Sequence, residues 1–409
     1  MFPFINIAGA RDSFFTVIHF MMLHLVCCMP VEVSVLPETW RWGDFRLPLR
    51  RTHKGRWIII MRLQQIEPKS HLAHGEYQHR YLLATDIVTI CVCILFSIFS
   101  FWNSGKMFIY VMDVPIDREI VYGIYFLLIP MGIIVLCRLF NAQRNRFIMF
   151  LRIFYVQLLY ALFFRECIIL SQLMYNGLSF DAIFANMDFA LFGYQPSTIF
   201  YKKVPDNRLI TEIFFFSYFF YYLLITTGWW LLFFKGKYKE AIRSLTIITC
   251  AFYVMYILYV FFPVKGPKYF FPELYHVWYT RFHGYFITDF MKCIFNNMNI
   301  GGAAFPSSHV AISFISIVLN FMYNRKLAWV YLPLTIMLYL STVFIYAHYF
   351  VDVVAGIATG IFLYLAIPPI IKKIQPCMIR LEMKLGKLFN MEQFRLPWSC
   401  PRSSVNHDS

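Results

Sequence analysis

Two short segments of the chain hold the residue types that phosphoryl chemistry needs. They are Phe305-Pro306-Ser307-Ser308-His309 and, further on, Ser341-Thr342 followed by His348-Tyr349-Phe350-Val351-Asp352. Two histidines, a carboxylate four residues from one of them and a pair of serines can move a phosphoryl group without a metal. His348 and Asp352 lie one helical turn apart, so the carboxylate can hold one imidazole nitrogen and leave the other aimed at phosphorus. On that reading His348 is the nucleophile and Asp352 offsets the charge that builds on its ring. His309 protonates the departing alcohol and then activates the acceptor of the second step.

The intervening chain must bring these parts together. From His309 it runs apolar to Tyr323, turns at Asn324-Arg325-Lys326 and runs apolar again from Leu327 to Tyr346. At about 1.5 Å per residue each leg is roughly one bilayer thickness, so both histidines return to the same membrane face. Pro306, Ser307 and Ser308 open the first leg, where free backbone N–H groups, the positive helix end and two hydroxyls would face an anion. The plainer reading makes the serines an N-cap and the histidines interfacial residues. Two segments in order, at this spacing and on one face, weigh against it.

Composition sets the broad class. Of 409 residues 59% are hydrophobic, 20% aromatic and only 14% charged, which excludes a soluble fold and describes a polytopic, all-α transmembrane helix bundle. A window of about twenty residues places eight spans near 81–101, 121–140, 149–174, 209–234, 241–262, 308–323, 327–346 and 353–371. The third carries Arg152, Arg165 and Glu166, each costly at mid-bilayer, so it should be short, tilted or turned towards the bundle. The chain divides into an extension (1–80) with an apolar stretch at 14–33 and a basic segment, N-terminal membrane helices with a non-cytoplasmic loop (81–208), a membrane core holding the motifs (209–371) and a basic tail (372–409).

Positive charge orients the bundle. Arg144 and Arg146, Lys235, Lys237, Lys239 and Arg243, Arg325 and Lys326, and Lys372 and Lys373 fall on one side, as do Arg41, Arg46, Arg50, Arg51, Lys54 and Arg56. That side is expected to be cytoplasmic. The net charge of +15 then reflects topology and anionic headgroups, and no nucleic-acid partner is expected. The candidate catalytic residues and the long connections at 176–208 and 263–304 share the opposite, non-cytoplasmic face, where the connections can cover a site.

The ten cysteines show no paired spacing suited to zinc and read as apolar filler. His309, His348 and Asp352 would also make a metal-ligand set, but phosphoryl chemistry uses more of the surrounding residues, so neither metal nor cofactor is expected. Gly356 and Gly360 form a small-xxx-small pair that reads as close helix packing. The aromatic richness between Phe214 and Trp230 reads as a lipid-facing belt.

The order of parts resembles the membrane branch of the type 2 phosphatidic acid phosphatase superfamily, also called the lipid phosphate phosphatase and haloperoxidase superfamily, over residues 241–371. Its second motif, usually Pro-Ser-Gly-His, is similar to Pro306-Ser307-Ser308-His309. Its third, Ser-Arg, five residues, His, three residues, Asp, is similar to Ser341-Thr342 through His348 and Asp352, with threonine in the arginine position. The usual first motif is absent. Pro263-Val264-Lys265-Gly266-Pro267-Lys268-Tyr269 stands at its topological place, and the resemblance offers Lys265 and Lys268, with Ser307 and Ser308, as phosphate-binding groups. Thr342, given an accessory role, and the stretch from Asp188 to Gly193 look more like the inositol phosphorylceramide synthase branch, whose members transfer a phosphoinositol headgroup.

The resemblance implies a membrane enzyme, a phosphatase or phosphotransferase acting on a phospholipid or lipid phosphate through a phosphohistidine. A catalytically silent lipid-binding or lipid-transport protein is the alternative. A channel or transporter is disfavoured because no inverted repeat is seen. Short loops favour a bacterial inner membrane, and a Golgi or other endomembrane is compatible.

Overall fold

The computed structural model describes residues 80–394, apart from 112–113, 143–144, 205 and 299–300, together with four short strands between residues 41 and 59. The chain forms two units, residues 1–69 and 70–409. In the first, β1 (Arg41–Trp42) pairs antiparallel with β2 (Phe45–Arg46), and β3 (Leu49–Arg51) with β4 (Trp57–Ile59). The apolar stretch at 14–33, Lys54 and Arg56 lie outside the described residues.

The second unit is helical, as an apolar chain requires, because lipid offers no partner to an unpaired backbone group. Its long helices are α1 (Ala84–Trp102), α2 (Arg118–Phe140), α3 (Arg146–Met174), α6 (Arg208–Phe234), α7 (Tyr238–Phe261), α12 (Arg325–Phe344) and α13 (Phe350–Leu388). All seven are long and apolar enough to cross a membrane, and the protein is a multi-pass membrane protein. The eighth expected span is α11 (Ser308–Tyr323), 16 residues long and about 24 Å in length. A hairpin of β5 (Phe108–Val111) and β6 (Val114–Asp117) joins α1 to α2. The two long connections, expected as loops, contain α4 (Asp181–Phe192), α5 (Pro196–Lys203), α8 (Pro267–Phe270), α9 (Pro272–Arg281) and α10 (Phe286–Met298).

Sequence punctuation fixes the helix starts. Asp117, Asn145 and Asn207 accept backbone N–H groups of the first turns of α2, α3 and α6, satisfying donors that the helix itself cannot. Helix α7 is the hub, packed against α1, α3, α6, α11 and α13 and buried along most of its length. Gly356 and Gly360 of α13 face α11. A Cβ on them would stand 2.8 Å from the Ser307 carbonyl oxygen and 2.9 Å from that of Ala311, so both positions serve close approach.

The charges of α3 are resolved by pairing. Arg152, fully buried, meets Asp86 of α1 through two hydrogen bonds of 3.1 and 2.6 Å, and Tyr155 donates to the same carboxylate at 2.7 Å. Glu166 accepts from Arg118 at 2.7 Å, whereas Arg165 is exposed. Removing one member of such a pair strands the other. Asp86→Ala is therefore expected to cost about 3–5 kcal/mol, read as a lowered unfolding midpoint, with much of the loss recovered in Asp86→Ala/Arg152→Leu.

Helix α13 does not end near residue 371. It continues through Pro368, Pro369 and Pro376 to Leu388, and this extension packs against the start of α1. Glu382 accepts the Tyr81 N–H at 2.7 Å, and Asn141 donates to the carbonyls of Tyr81 and Glu392 at 2.8 and 2.9 Å.

Candidate active site

Four chain ends converge at one end of the bundle: the segment after α7, the start of α11, the turn after α12 and the start of α13. Ser307 begins α11. Its Oγ accepts the Val310 N–H at 3.4 Å, and its own N–H donates to the Asp352 carbonyl at 3.1 Å. That bond ties α11 to α13. Ser307 and Ser308 are both buried, and Tyr259 of α7 donates to the Pro306 carbonyl at 2.8 Å.

These contacts aim His309 into the bundle, where its ring lies between Tyr218 and Tyr221 of α6 at centroid distances of 4.5 and 4.4 Å. The His348 ring is 5.6 Å away. Among the described residues His309 Nδ1 has no hydrogen-bond partner.

His348 sits on the turn between α12 and α13. The Thr342 carbonyl accepts the N–H groups of Ala347 and His348 at 3.0 and 3.1 Å, and the Tyr346 carbonyl accepts the Lys268 N–H at 2.8 Å. Trp278 Nε1 donates to Ile345 O at 3.1 Å. Tyr346 has a φ of 62°, a strained value for a bulky residue that surrounding bonds must hold. The Thr342 hydroxyl donates to Tyr339 O at 2.7 Å, so this side chain is occupied within its own helix.

The nearest partner of His348 Nδ1 is the Ala304 carbonyl at 2.8 Å, with Asp352 Oδ2 at 3.5 Å. A carbonyl can only accept, so Nδ1 carries the hydrogen and the lone pair of the neutral ring is on Nε2. Burial pushes His348 down to about 4, which keeps the ring neutral near pH 7. Asp352 is fully buried and also accepts the Tyr349 N–H at 2.9 Å.

The two lysines differ. Lys265 is half-buried, with Nζ donating to Gly177 O at 3.4 Å. Lys268 is 2% exposed, and its Nζ has no hydrogen-bond partner among the described residues. It lies 3.5 Å from the centre of the Trp278 ring, with Tyr269, Tyr279 and Phe295 each at 5.1 Å. Burial, and then Lys292, push Lys268 down to about 7. Phe295 in turn packs on Tyr218, the residue that holds His309.

Several supporting residues lie outside the two histidine motifs. Lys292 of α10, its Nζ 5.7 Å from the Trp278 ring centre, is a second cation beside Lys268. Glu212 of α6 accepts the N–H groups of Tyr285, Ile287 and Thr288 and the Thr288 hydroxyl, which pins the start of α10. From α4, Asp181 accepts the N–H groups of Lys265 and Gly266 at 2.8 Å and the Tyr349 hydroxyl at 3.0 Å. Asp188 accepts those of Phe350 and Val351 at 2.9 and 3.0 Å. The seven-residue spacing of these acids on an apolar helix is the signal that reveals them.

Gly266 has a φ of 89°, and a Cβ there would stand 2.5 Å from the Ala347 carbonyl oxygen. Gly266→Ala is thus expected to displace the turn that carries His348. A fall in kcat of about 10²-fold, together with an unfolding midpoint lowered by the strained backbone, would show it.

Among the described residues no three of histidine, cysteine, aspartate and glutamate gather as they would around a metal ion. No curated protein and no solved structure matches the chain. The segment that contains His309, His348, Asp352, Lys265 and Lys268, residues 188–366, matches the family model of the PAP2 superfamily.

Proposed function

We propose that the protein is a membrane lipid phosphatase or phosphotransferase that works through a phosphohistidine on His348. The observation that carries this reading is the neutral His348 ring, anchored through Nδ1 by Ala304 and lying 5.6 Å from a second histidine. Nε2 attacks phosphorus, a P–N bond forms and the P–O bond to the leaving alcohol breaks, with His309 supplying the proton that the alcohol needs. His309 then takes a proton from water or an acceptor alcohol, whose oxygen attacks phosphorus and releases His348. Asp352 offsets the positive charge on the ring. Lys268 and Lys292 supply charge for the equatorial oxygens, which is usually the largest catalytic term.

Ser307 and Ser308 would contribute the start of α11 to the phosphate cradle. Lys265 would lend longer-range charge from the edge. The distribution of positive loops supports a non-cytoplasmic face for the chemistry. Thr342 stands where an arginine would give a bidentate grip, which favours a diester donor and transfer to an acceptor, as in inositol phosphorylceramide synthases.

The test is to incubate the purified protein with headgroup-labelled phospholipids, with and without an alcohol acceptor. Released phosphate or phosphorylated headgroup marks hydrolysis, and a labelled new lipid marks transfer. No product with any donor, beside retained lipid binding, would favour the catalytically silent reading.

A further inference from the structure

Two helical turns along α11 from His309, the helices α6, α7 and α11 enclose a second feature. Gly228, Trp229, Ser244, Ser316 and Asn320, with leucine and isoleucine side chains, line a cavity that gives about 10 Å³ to the centre of a water-sized sphere. That is room for one water molecule. Trp229, Ser244, Ser316 and Asn320 are each at most 3% exposed. Trp229 Nε1, Ser244 Oγ and Ser316 Oγ have no hydrogen-bond partner among the described residues. Asn320 Nδ2 donates to Ser316 O at 3.0 Å, and its Oδ1 accepts from Asn324 at 3.4 Å, leaving that oxygen a free lone pair.

Three unpaired polar groups from three helices around one small cavity form a donor and acceptor set. An indole N–H can only donate, which opposes a metal cation. Two hydroxyls can do either, and an amide oxygen accepts. A water molecule, with two hydrogens and two lone pairs, matches all four. We propose that Trp229, Ser244, Ser316 and Asn320 hold a single water that fastens α6, α7 and α11 to one another inside the bundle. It accepts from the Trp229 indole, donates to Asn320 Oδ1 and exchanges hydrogen bonds with the two serines. Gly228 permits the arrangement, since a Cβ there would stand 2.8 Å from the Asn320 side-chain amide. Because α11 carries His309 and α6 carries the tyrosines around it, the water is a spacer for that sandwich, independent of the reaction assigned to it.

The sign of a stability change tests this in the full chain reconstituted in lipid nanodiscs. With a shared water, Ser244→Ala and Ser316→Ala each remove one of its partners and lower the unfolding midpoint by a few degrees. The double variant loses less than the sum, because both act through one molecule. In a dry cavity each substitution deletes an unpaired buried hydroxyl, and the midpoint rises. A second measurement needs no destabilised variant: the ¹⁵N-labelled indole N–H of Trp229, identified by its loss in Trp229→Phe, should receive magnetisation from a long-lived water. A rise in midpoint, or an indole signal without that transfer, overturns the proposal.

Discussion

Replacing His348 by alanine is expected to lower kcat by about 10⁴-fold or more and to abolish any trapped phosphoenzyme. On the proposed mechanism no neighbour can replace the side chain, since His309 is fixed against Tyr218 and Tyr221. A single turnover with ³²P-labelled lipid, quenched in alkali because a phosphoramidate survives base, should label wild type and leave His348→Ala bare. Asp352→Asn should be milder, about 10²–10³-fold, because Ala304 still orients the ring and only the compensating charge is lost. Label retained in His348→Ala would remove this residue from the nucleophile's role.

Lys268→Ala is expected to reduce kcat/KM by about 10²–10³-fold, and wild type should lose kcat/KM as pH rises through about 7. The sign follows from the buried ammonium. Its free-enzyme value is pushed down to about 7, so above that pH the amine is neutral and an anionic lipid loses its cation. On the acid side His348, pushed down to about 4, becomes protonated and cannot attack. His309 must also hold the proton that the alcohol needs, so the profile of kcat/KM should be a bell with an acid limb near 4 and an alkaline limb that combines loss of the Lys268 and His309 protons. Lys292→Gln removes a neighbouring like charge and should carry the alkaline limb upwards. Tyr269, Tyr275 and Tyr279 also face the amine, and burial pushes Tyr269 and Tyr279 up to about 12, outside this window. A profile flat across pH 7, or a limb that Lys292→Gln leaves in place, would count against Lys268 as the cation.

Much of this architecture is written in the run lengths. Each of the eight expected spans becomes a helix, and two legs joined at Asn324 return His309 and His348 to one end. What is hard to read lies where a signal is carried by backbone or by single residues. The Ala304 carbonyl that anchors His348 leaves no side-chain signature, and Lys292 stands in a connection without a motif. The helices α4, α9 and α10 are too short for a membrane window, so they read as loops. Prolines at 368, 369 and 376 suggest an end that does not occur, because tertiary contacts around Tyr81 and Glu382 hold the extension in place.

The bonds from Asp188 to the first N–H groups of α13 reach across more than 160 positions of chain. During synthesis α4 therefore emerges long before the segment that it caps. A polypeptide halted before α13 lacks Asp352, which on the proposed mechanism balances the charge on His348. On the proposed mechanism, a chain that has inserted only the first seven of these spans is inert, and chemistry waits for the eighth.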